Sequence, residues 1–409
     1  MSEISAAIGF NLIVISPTIA LVGTALVLLF FTITIESNEI VKKSITFLGM
    51  LITSFCVFLK FGLFFENGVS SYFTQKILLD EFSLFGNVLI SLILLFNFLP
   101  IWDSSKQLKE KTTEAIILTL MSASGFMLMV DSENLIMLFI GLEIGSISLY
   151  ALAGLNRGDK LSNEASLKYF LLGSLASCIL IYGVSLVYVS FSVFSVYNFA
   201  LGIAYVGPDS VPLTTSIGVL LIFIGLLFKI AAAPFQSWAP DVYQGSPTGY
   251  VGFMSSIAKV SSFIVIARLC LVSINFIIED FNSFFLIVII SSALIGSLFA
   301  SIQEDLKRLL AYSGVVQSGF ILSGIVSGIN GTSASMFYLF TYILQLIGIF
   351  IIFSIINGKL SSEFNIQSIQ GLIVNNRFLA TSFCVFMFGL AGIPLTSGFV
   401  SKFILLTNL

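Results

Sequence analysis

Histidine is absent from this 409-residue chain, and charge is scarce, with Lys, Arg, Asp and Glu together at 10%. Without histidine there are no imidazole metal ligands, no haem axial histidines, no Ser-His-Asp triad and no histidine proton relay within the chain. Cysteine is nearly as sparse. Cys56, Cys178, Cys270 and Cys384 each stand alone in an apolar stretch. They form no CxxC site or iron–sulfur ligand set, and each is expected to be a small buried hydrophobe. No cofactor or metal is therefore expected in this chain. A soluble protein carries roughly 25% charged residues, so this one has too few to cover a water-facing surface. Its net charge of −3 gives no reason to expect nucleic acid as a partner.

What the chain has instead is apolar length: 57% of its residues are hydrophobic. Runs near the roughly 20 residues that cross a bilayer recur throughout. Residues between Glu3 and Glu36, and between Lys168 and Asp209, are uncharged, and 309–358 is interrupted only by the turn Gly328-Ile329-Asn330-Gly331-Thr332. The expected fold is an all-α polytopic membrane helix bundle of about twelve spans, near 12–35, 44–65, 82–101, 114–130, 134–155, 164–194, 213–243 (broken), 248–272, 283–302, 306–327, 333–356 and 376–409 (broken). Membrane lipids are then partners by necessity. No connection holds a soluble domain, the longest being about 195–212. Met1 to Asn11 contains Glu3 but no Lys or Arg, unlike a signal or transit peptide, so the first hydrophobic helix is expected to be retained.

Basic residues give the expected orientation. Lys42, Lys43, Lys106, Lys109, Lys111, Arg157, Lys160, Lys307, Arg308, Lys359 and Arg377 follow odd-numbered spans, whereas only Lys76 and Arg268 follow even-numbered ones. The positive-inside rule places the first group on the cytoplasmic or matrix side and the N-terminus outside. A mitochondrial inner membrane is favoured by the 42 phenylalanines and the missing presequence, with a bacterial plasma membrane as the alternative.

Lys60, Lys168, Lys229, Lys259, Lys402 and Glu143 remain inside spans. An ionised group at the bilayer centre costs at least about 2.5 kcal/mol, so each needs a reason to be there. Lys60, toward the end of its helix, is expected to snorkel to water. Lys168 follows Glu164 by four residues, where a surface pair forms readily. Lys229, Lys259 and Glu143 are too deep to snorkel. Burial disfavours a lysine's charged form and a nearby carboxylate restores it. A Lys229 that alternates between pairing with Glu143 and standing alone would thus alternate between holding and releasing a proton.

Two of the lysine-bearing spans also carry breakers. Pro234 withholds a donor and clashes with the carbonyl of Ile230, so the backbone after Lys229 must open. Pro394, among Gly389, Gly392 and Gly398, does the same before Lys402. Broken helices at corresponding places mark a transport site. They fall in the seventh and twelfth spans, so a five-helix unit would repeat upside down. Residues 1–113 would hold helices 1–3, 114–272 one copy, and 283–409 a second, incomplete copy.

These residues resemble a known family. The run Phe228-Lys-Ile-Ala-Ala-Ala-Pro-Phe-Gln-Ser-Trp-Ala-Pro-Asp-Val-Tyr-Gln-Gly-Ser-Pro-Thr248 is similar to the signature of the antiporter-like subunits of respiratory complex I, in the manner of subunit 2 of NADH dehydrogenase, the bacterial N subunit. Further matches are the LEIGSISLYAL context of Glu143, Glu164-Ala-Ser-Leu-Lys168-Tyr-Phe-Leu-Leu-Gly, Gln303-Glu-Asp-Leu-Lys-Arg-Leu-Leu-Ala-Tyr-Ser313 and Gly392-Ile-Pro-Leu-Thr-Ser-Gly-Phe-Val-Ser-Lys-Phe403. The resemblance implies a proton-translocating module driven by quinone chemistry in other membrane-arm subunits of complex I. By position, Glu143 resembles the charge-pair glutamate and Lys229 its partner, Lys259 the central relay lysine, Lys402 the terminal lysine and Lys168 an accessory one. Two positions depart from the family: Gln236 and Gln317 stand where histidine is usual, and glutamine orders water but exchanges no proton at neutral pH. The family also continues for about two more helices, so either the gene is split, with a separate chain supplying C-terminal helices as a further partner, or the sequence is truncated. A multisubunit cation/proton antiporter subunit and a structural membrane scaffold are the alternative readings.

Overall fold

The computed structural model describes residues 2–34, 39–107, 112–207, 210–273, 278–357 and 364–409. The basic positions Lys109, Lys111 and Lys359 lie outside the described residues. Charge-poor runs become helices because a segment away from water must bond its own backbone groups. The helices are α1 (Ser2–Thr34), α2 (Glu39–Asn67), α3 (Glu81–Gln107), α4 (Thr112–Asp131), α5 (Leu135–Ala153), α6 (Lys160–Phe191), α7 (Val196–Val206), α8 (Leu213–Lys229), α9 (Trp238–Gly245), α10 (Thr248–Arg268), α11 (Ile278–Ser301), α12 (Leu306–Val326), α13 (Ile329–Asn357), α14 (Leu372–Asn375), α15 (Arg377–Ala391) and α16 (Ser397–Thr407). Among the described residues, ten helices are long and apolar enough to cross a membrane, and α7, α8, α15 and α16 are shorter apolar ones. Each predicted span holds one of these helices, the two broken spans resolving into α8 with α9 and α15 with α16.

Two elements were not expected. A hairpin of β1 (Ser70–Tyr72) and β2 (Ile77–Leu79) adds two three-residue strands to the helical bundle. The 195–212 connection contains α7, which Ser195 caps by accepting the Asn198 N–H at 3.2 Å. Isolated bridges Ile77↔Ser132 and Asn134↔Ser195 gather the hairpin, the α4–α5 turn and the start of α7 at one end of the bundle. Asp305↔Asn365 ties the chain at the other.

The bundle is organised around α10, every residue of which is buried. Small residues let it be surrounded: a Cβ on Gly252 would lie 2.8 Å from Asn97 Oδ1 of α3 and 2.9 Å from Phe350 Cβ of α13. Close packing of this kind is how helices associate where lipid is as apolar as leucine.

Several polar residues sit elsewhere than expected. Lys60 does not snorkel; its side chain is fully buried and bonds Asp131 Oδ2 at 2.8 Å, because α4 ends in a carboxylate where the Lys60 ammonium arrives. Arg268 and Lys307, expected in loops, are buried. Arg268 meets Asp80, and Lys307 Nζ donates to the carbonyls of Ser246 at 2.9 Å and Gln244 at 3.3 Å, closing the C-terminal end of α9. Of the four cysteines only Cys270 is buried; Cys56 is half-buried, and Cys178 and Cys384 are exposed on the chain's apolar periphery. An apolar stretch in a membrane helix has a lipid face as well as a core face, so the buried expectation for each cysteine was too strong.

Candidate functional site

The helix α5 sets the first part of the site. Its N-cap Asn134 accepts from Ile136 N and Met137 N, and the spacing Glu143, Ser146, Tyr150 puts the three on one face. On the other side α5 lies against α4 through glycines. A Cβ on Gly141 would be 2.6 Å from the backbone nitrogen of Met129, and one on Gly125 would be 2.4 Å from that of Gly145.

Lys229 is the last residue of α8. Its buried ammonium donates to Ser146 Oγ at 3.0 Å and to Tyr150 Oη at 2.9 Å. Glu143 is not within ion-pair distance of it: among the described residues Lys229 has no such carboxylate, and the buried Oε1 of Glu143 has no hydrogen-bond partner. The site holds the two charges separated, with Ser146 between them on the α5 face. Aromatic rings enclose the lysine, Tyr150 edge-on to Tyr169 at 4.7 Å and Tyr169 stacked on Trp238 at 4.6 Å.

The break after Lys229 runs through 230–237 and contains Pro234. Ala231 takes positive φ at 55°, and the freed backbone groups find other partners. Phe228 O accepts from Trp238 Nε1 at 3.0 Å, Ile230 O from Ser318 Oγ at 2.9 Å, and Ala233 N donates to Ser292 Oγ at 2.9 Å. Pro234 itself is exposed. Gln236 is half-buried, and its Oε1 has no partner among the described residues.

Lys259, at the middle of α10, reaches α12 and α13. Its Nζ donates to Gly314 O at 2.9 Å and to Tyr342 Oη at 3.3 Å. A Cβ on Gly314 would stand 2.5 Å from that ammonium, so a larger residue there would push the lysine aside. One turn on, Ser318 bonds both Gly314 O at 2.8 Å and the Ile230 carbonyl. Its neighbour Gln317 is fixed at both ends of its amide, Nε2 donating to Leu390 O at 3.2 Å and Oε1 accepting from Tyr338 Oη.

The same Leu390 carbonyl accepts from Lys402 Nζ at 2.8 Å. Lys402 rises from α16 across the second break, where Gly392 at φ 80° ends α15 and Leu395 at φ 76° turns the chain. Pro394 lies in that break and is exposed. A cleft of ≈ 320 Å³ lined by Ser313, Gln317 and Lys402 adjoins it. Lys229, Lys259 and Lys402 are thus linked through one helix, α12, by Gly314, Gln317 and Ser318.

Lys168 stands apart. It is partly exposed and pairs with Glu164 and Asp241, each at 2.6 Å, while Asp241 also takes Arg308 Nη1 at 2.6 Å. A cleft of ≈ 460 Å³ lined by Arg157, Asn163 and Ser166 reaches Tyr150 and so approaches Lys229 from this end. Ser146 and Tyr150 escaped the sequence reading although their spacing from Glu143 was visible there. Gly314 and Tyr342 had no local signal. Among the described residues no group of three or more His, Cys, Asp or Glu is arranged to hold a metal ion.

The arrangement can be set beside known proteins. Residues 132–409 match the family model described as NADH:quinone oxidoreductase/Mrp antiporter, transmembrane. The NADH-quinone oxidoreductase subunit N of Trichlorobacter lovleyi is 37% identical over 342 residues, which are 83% of this chain and 69% of that one. Subunit N 1 of Thermodesulfovibrio yellowstonii is 33% identical over 389 residues, 95% of this chain and 81% of its own. Among solved structures, a chain of respiratory complex I from Thermus thermophilus superposes with a TM-score of 0.80 at 27% identity, over 96% of this chain and 82% of that one.

Proposed function

This chain belongs to the NADH:quinone oxidoreductase/Mrp antiporter transmembrane family, and from that membership we propose how it works as a proton-translocating antiporter-like subunit of a NADH-quinone oxidoreductase. It carries no redox chemistry of its own. Its partners are the other membrane subunits of that complex, and its bacterial relatives support a bacterial plasma membrane as its site.

The observation that carries the mechanism is the set of three lysines at membrane depth, Lys229, Lys259 and Lys402, whose ammonium groups rest on hydroxyls and carbonyls, without a carboxylate at ion-pair distance among the described residues. An ammonium so held is stabilised weakly, so a modest approach of negative charge is enough to change its proton occupancy. Glu143, with a free oxygen on the same helix face as the ligands of Lys229, is the mobile counter-charge. When Glu143 approaches, Lys229 holds its proton; when it withdraws, the proton passes inward to Lys259 and then to Lys402 along α12. Lys168 serves as an accessory group at the cleft that reaches Tyr150. Gln317 acts as a fixed bridge between α12 and the second break, and Gln236 as an orienter of water at the first.

The two halves support a repeat. Helices α4 and α5 pack as a pair, as do α11 and α12, while α6 contacts both α8 and α9 and α13 contacts both α15 and α16. We read 114–272 and 283–409 as two copies of one inverted unit and 1–113 as an addition that flanks them. The positive-inside bias places the hairpin end outside.

The test is Lys229→Ala and Glu143→Ala in the assembled complex. Either variant is expected to lower protons moved per NADH or to block turnover, and unchanged coupling in both would sink the relay. Native mass spectrometry separates this reading from a cation/proton antiporter, since only the first requires flavin and quinone-site subunits in the particle.

A further inference from the structure

The hairpin end of the bundle holds a charged cluster that the lysine path does not use. Arg268, the last residue of α10, donates to both oxygens of Asp80 at 2.6 and 2.9 Å, and to the carbonyls of Val130 and Ser132 at 2.6 and 3.2 Å. Asp131 lies between those two carbonyls in the chain. Its Oδ2 bonds Lys60 and its Oδ1 accepts from Asn87 Nδ2 at 2.6 Å. Asp80 and Asp131 therefore each have a cation of their own.

Glu133 does not. Its backbone is held from both sides, the N–H donating to Lys76 O at 3.0 Å and the carbonyl accepting from Val196 N at 2.9 Å. Oε1 accepts from Ser195 Oγ at 3.1 Å. Oε2 is buried and has no hydrogen-bond partner among the described residues, in a residue only 3% exposed. Glu133 lines a cleft of ≈ 530 Å³ shared with Ser70, Gln75, Tyr197, Asp80 and Arg268. An ionised carboxylate wants both oxygens satisfied, and a buried one left unfilled is costly. Protonation removes that cost. A fixed acid at a cleft, without an ion pair of its own beside two that are paired, is built to gain and lose a proton rather than to stay charged.

We propose that Glu133 is the proton-exchanging group at the hairpin-side mouth of the protein, taking protons from the cleft and returning them to it beside the ionic network of Arg268, Asp131 and Lys60. In loading, a hydronium ion in the cleft gives its proton to Oε2, one O–H bond breaking as the other forms, and leaves as water; release is the reverse. The network joins the mouth to α10, on which Lys259 lies nine residues before Arg268, about 13 Å along the axis. The groups that act on the Glu133 carboxyl are Ser195, Arg268 of α10 and Asp80; Glu81 and Tyr197 line the same cleft, Lys76 meets Glu133 through its backbone carbonyl, and Asp131 is paired with Lys60. The inference rests on the proton-translocating reading and adds a place at which protons cross the surface.

The assembled complex in native membranes tests it in two ways. Treated with dicyclohexylcarbodiimide, which modifies protonated buried carboxyls, Glu133 is expected to label faster than Asp80 and Asp131, and more slowly as pH rises; labelling of those aspartates in preference to Glu133 would overturn the assignment. In proton-translocation assays Glu133→Gln is expected to lower the rate about tenfold or more, as loss of a positioned proton-transfer group does, and to remove one limb of the pH profile. Glu133→Asp should restore the limb at a shifted pH, and serves if the glutamine variant fails to assemble. A wild-type rate and pH profile in Glu133→Gln, with Lys229→Ala inactive, overturns the mouth alone. The same profile with Lys229→Ala also unaffected overturns the relay on which it rests.

Discussion

Lys60 and Asp131 form a fully buried pair across α2 and α4, and the energetics of such pairs are asymmetric. Replacing both partners by apolar residues is often neutral, whereas removing one strands a buried charge at about 3–5 kcal/mol. Lys60→Met is therefore expected to lower the unfolding temperature sharply, because Asn87 alone cannot neutralise Asp131, and the double variant Lys60→Met with Asp131→Leu to recover most of the loss. Thermal unfolding of the detergent-extracted protein measures both. Glu133 gives the complementary case. Burial raises its carboxyl above the ordinary 4.5, against the hydrogen bond from Ser195 and the nearby Arg268 guanidinium. A raised native value means its stabilising contribution is fully present below 4.5 and is lost as pH rises through the native value. Glu133→Gln is expected to flatten the fall in unfolding temperature over that window; an equally steep fall would show that another group causes it. Lys229, Lys259, Lys402 and Glu143 stand out in the sequence because depth in a charge-free run is visible along the chain. The places of Lys60 and Arg268 are not legible there, because a charge near the end of a span looks alike whether it meets water or a carboxylate on another helix.

Elements were legible where one rule decided them. Charge-free runs set the long helices. Proline alone did not set the breaks, since Pro17 and Pro100 stay inside the continuous α1 and α3; at Pro234 and Pro394 the chain also turns through positive φ, at Ala231 and at Gly392 and Leu395. The hairpin and α7 were missed because each is short and held by bridges to distant segments, Ile77↔Ser132 and Asn134↔Ser195, that leave no local pattern. Glycine spacing was present in the sequence, but its meaning appears only when a neighbour is seen. Gly141 and Gly145 flank Glu143; Gly141 brings α5 onto the backbone of α4 and Gly145 onto the Phe126 ring. Gly141→Ala would place a Cβ 2.6 Å from Met129 N, which is main chain and cannot rotate aside. The variant is expected to push α5 from α4, lose about 1–3 kcal/mol of stability as overpacked positions do, and lower proton translocation by displacing Glu143. A stable variant with full translocation would show that the α4–α5 contact does not position the glutamate.

At the scale of the molecule the decisive feature is that consecutive residues of α12 hold both broken helices. Ser318 bonds the Ile230 carbonyl beside Lys229, and Gln317 bonds the Leu390 carbonyl that Lys402 also takes. A shift of α12 that relieves one break must disturb the other, so the lysines should act as a coupled set rather than as separate stations. Coupling has a thermodynamic signature, because residues in one network show effects that do not add, while independent sites add to within about 0.5 kcal/mol. Less drastic substitutions than alanine are needed to keep activity measurable, so the cycle pairs Lys229→Arg with Lys402→Arg. Their combined effect on the proton-translocation rate is expected to depart from the sum of the single effects by about 1 kcal/mol or more. Ser318→Ala removes the link at the first break and leaves both lysines in place. Repeating the cycle in that background should bring the two effects close to additive. If the cycle is additive already in the unaltered protein, α12 is a passive wall and the lysines work independently. If it is non-additive but Ser318→Ala leaves it so, the coupling runs instead through α10, which carries Lys259 and touches both halves.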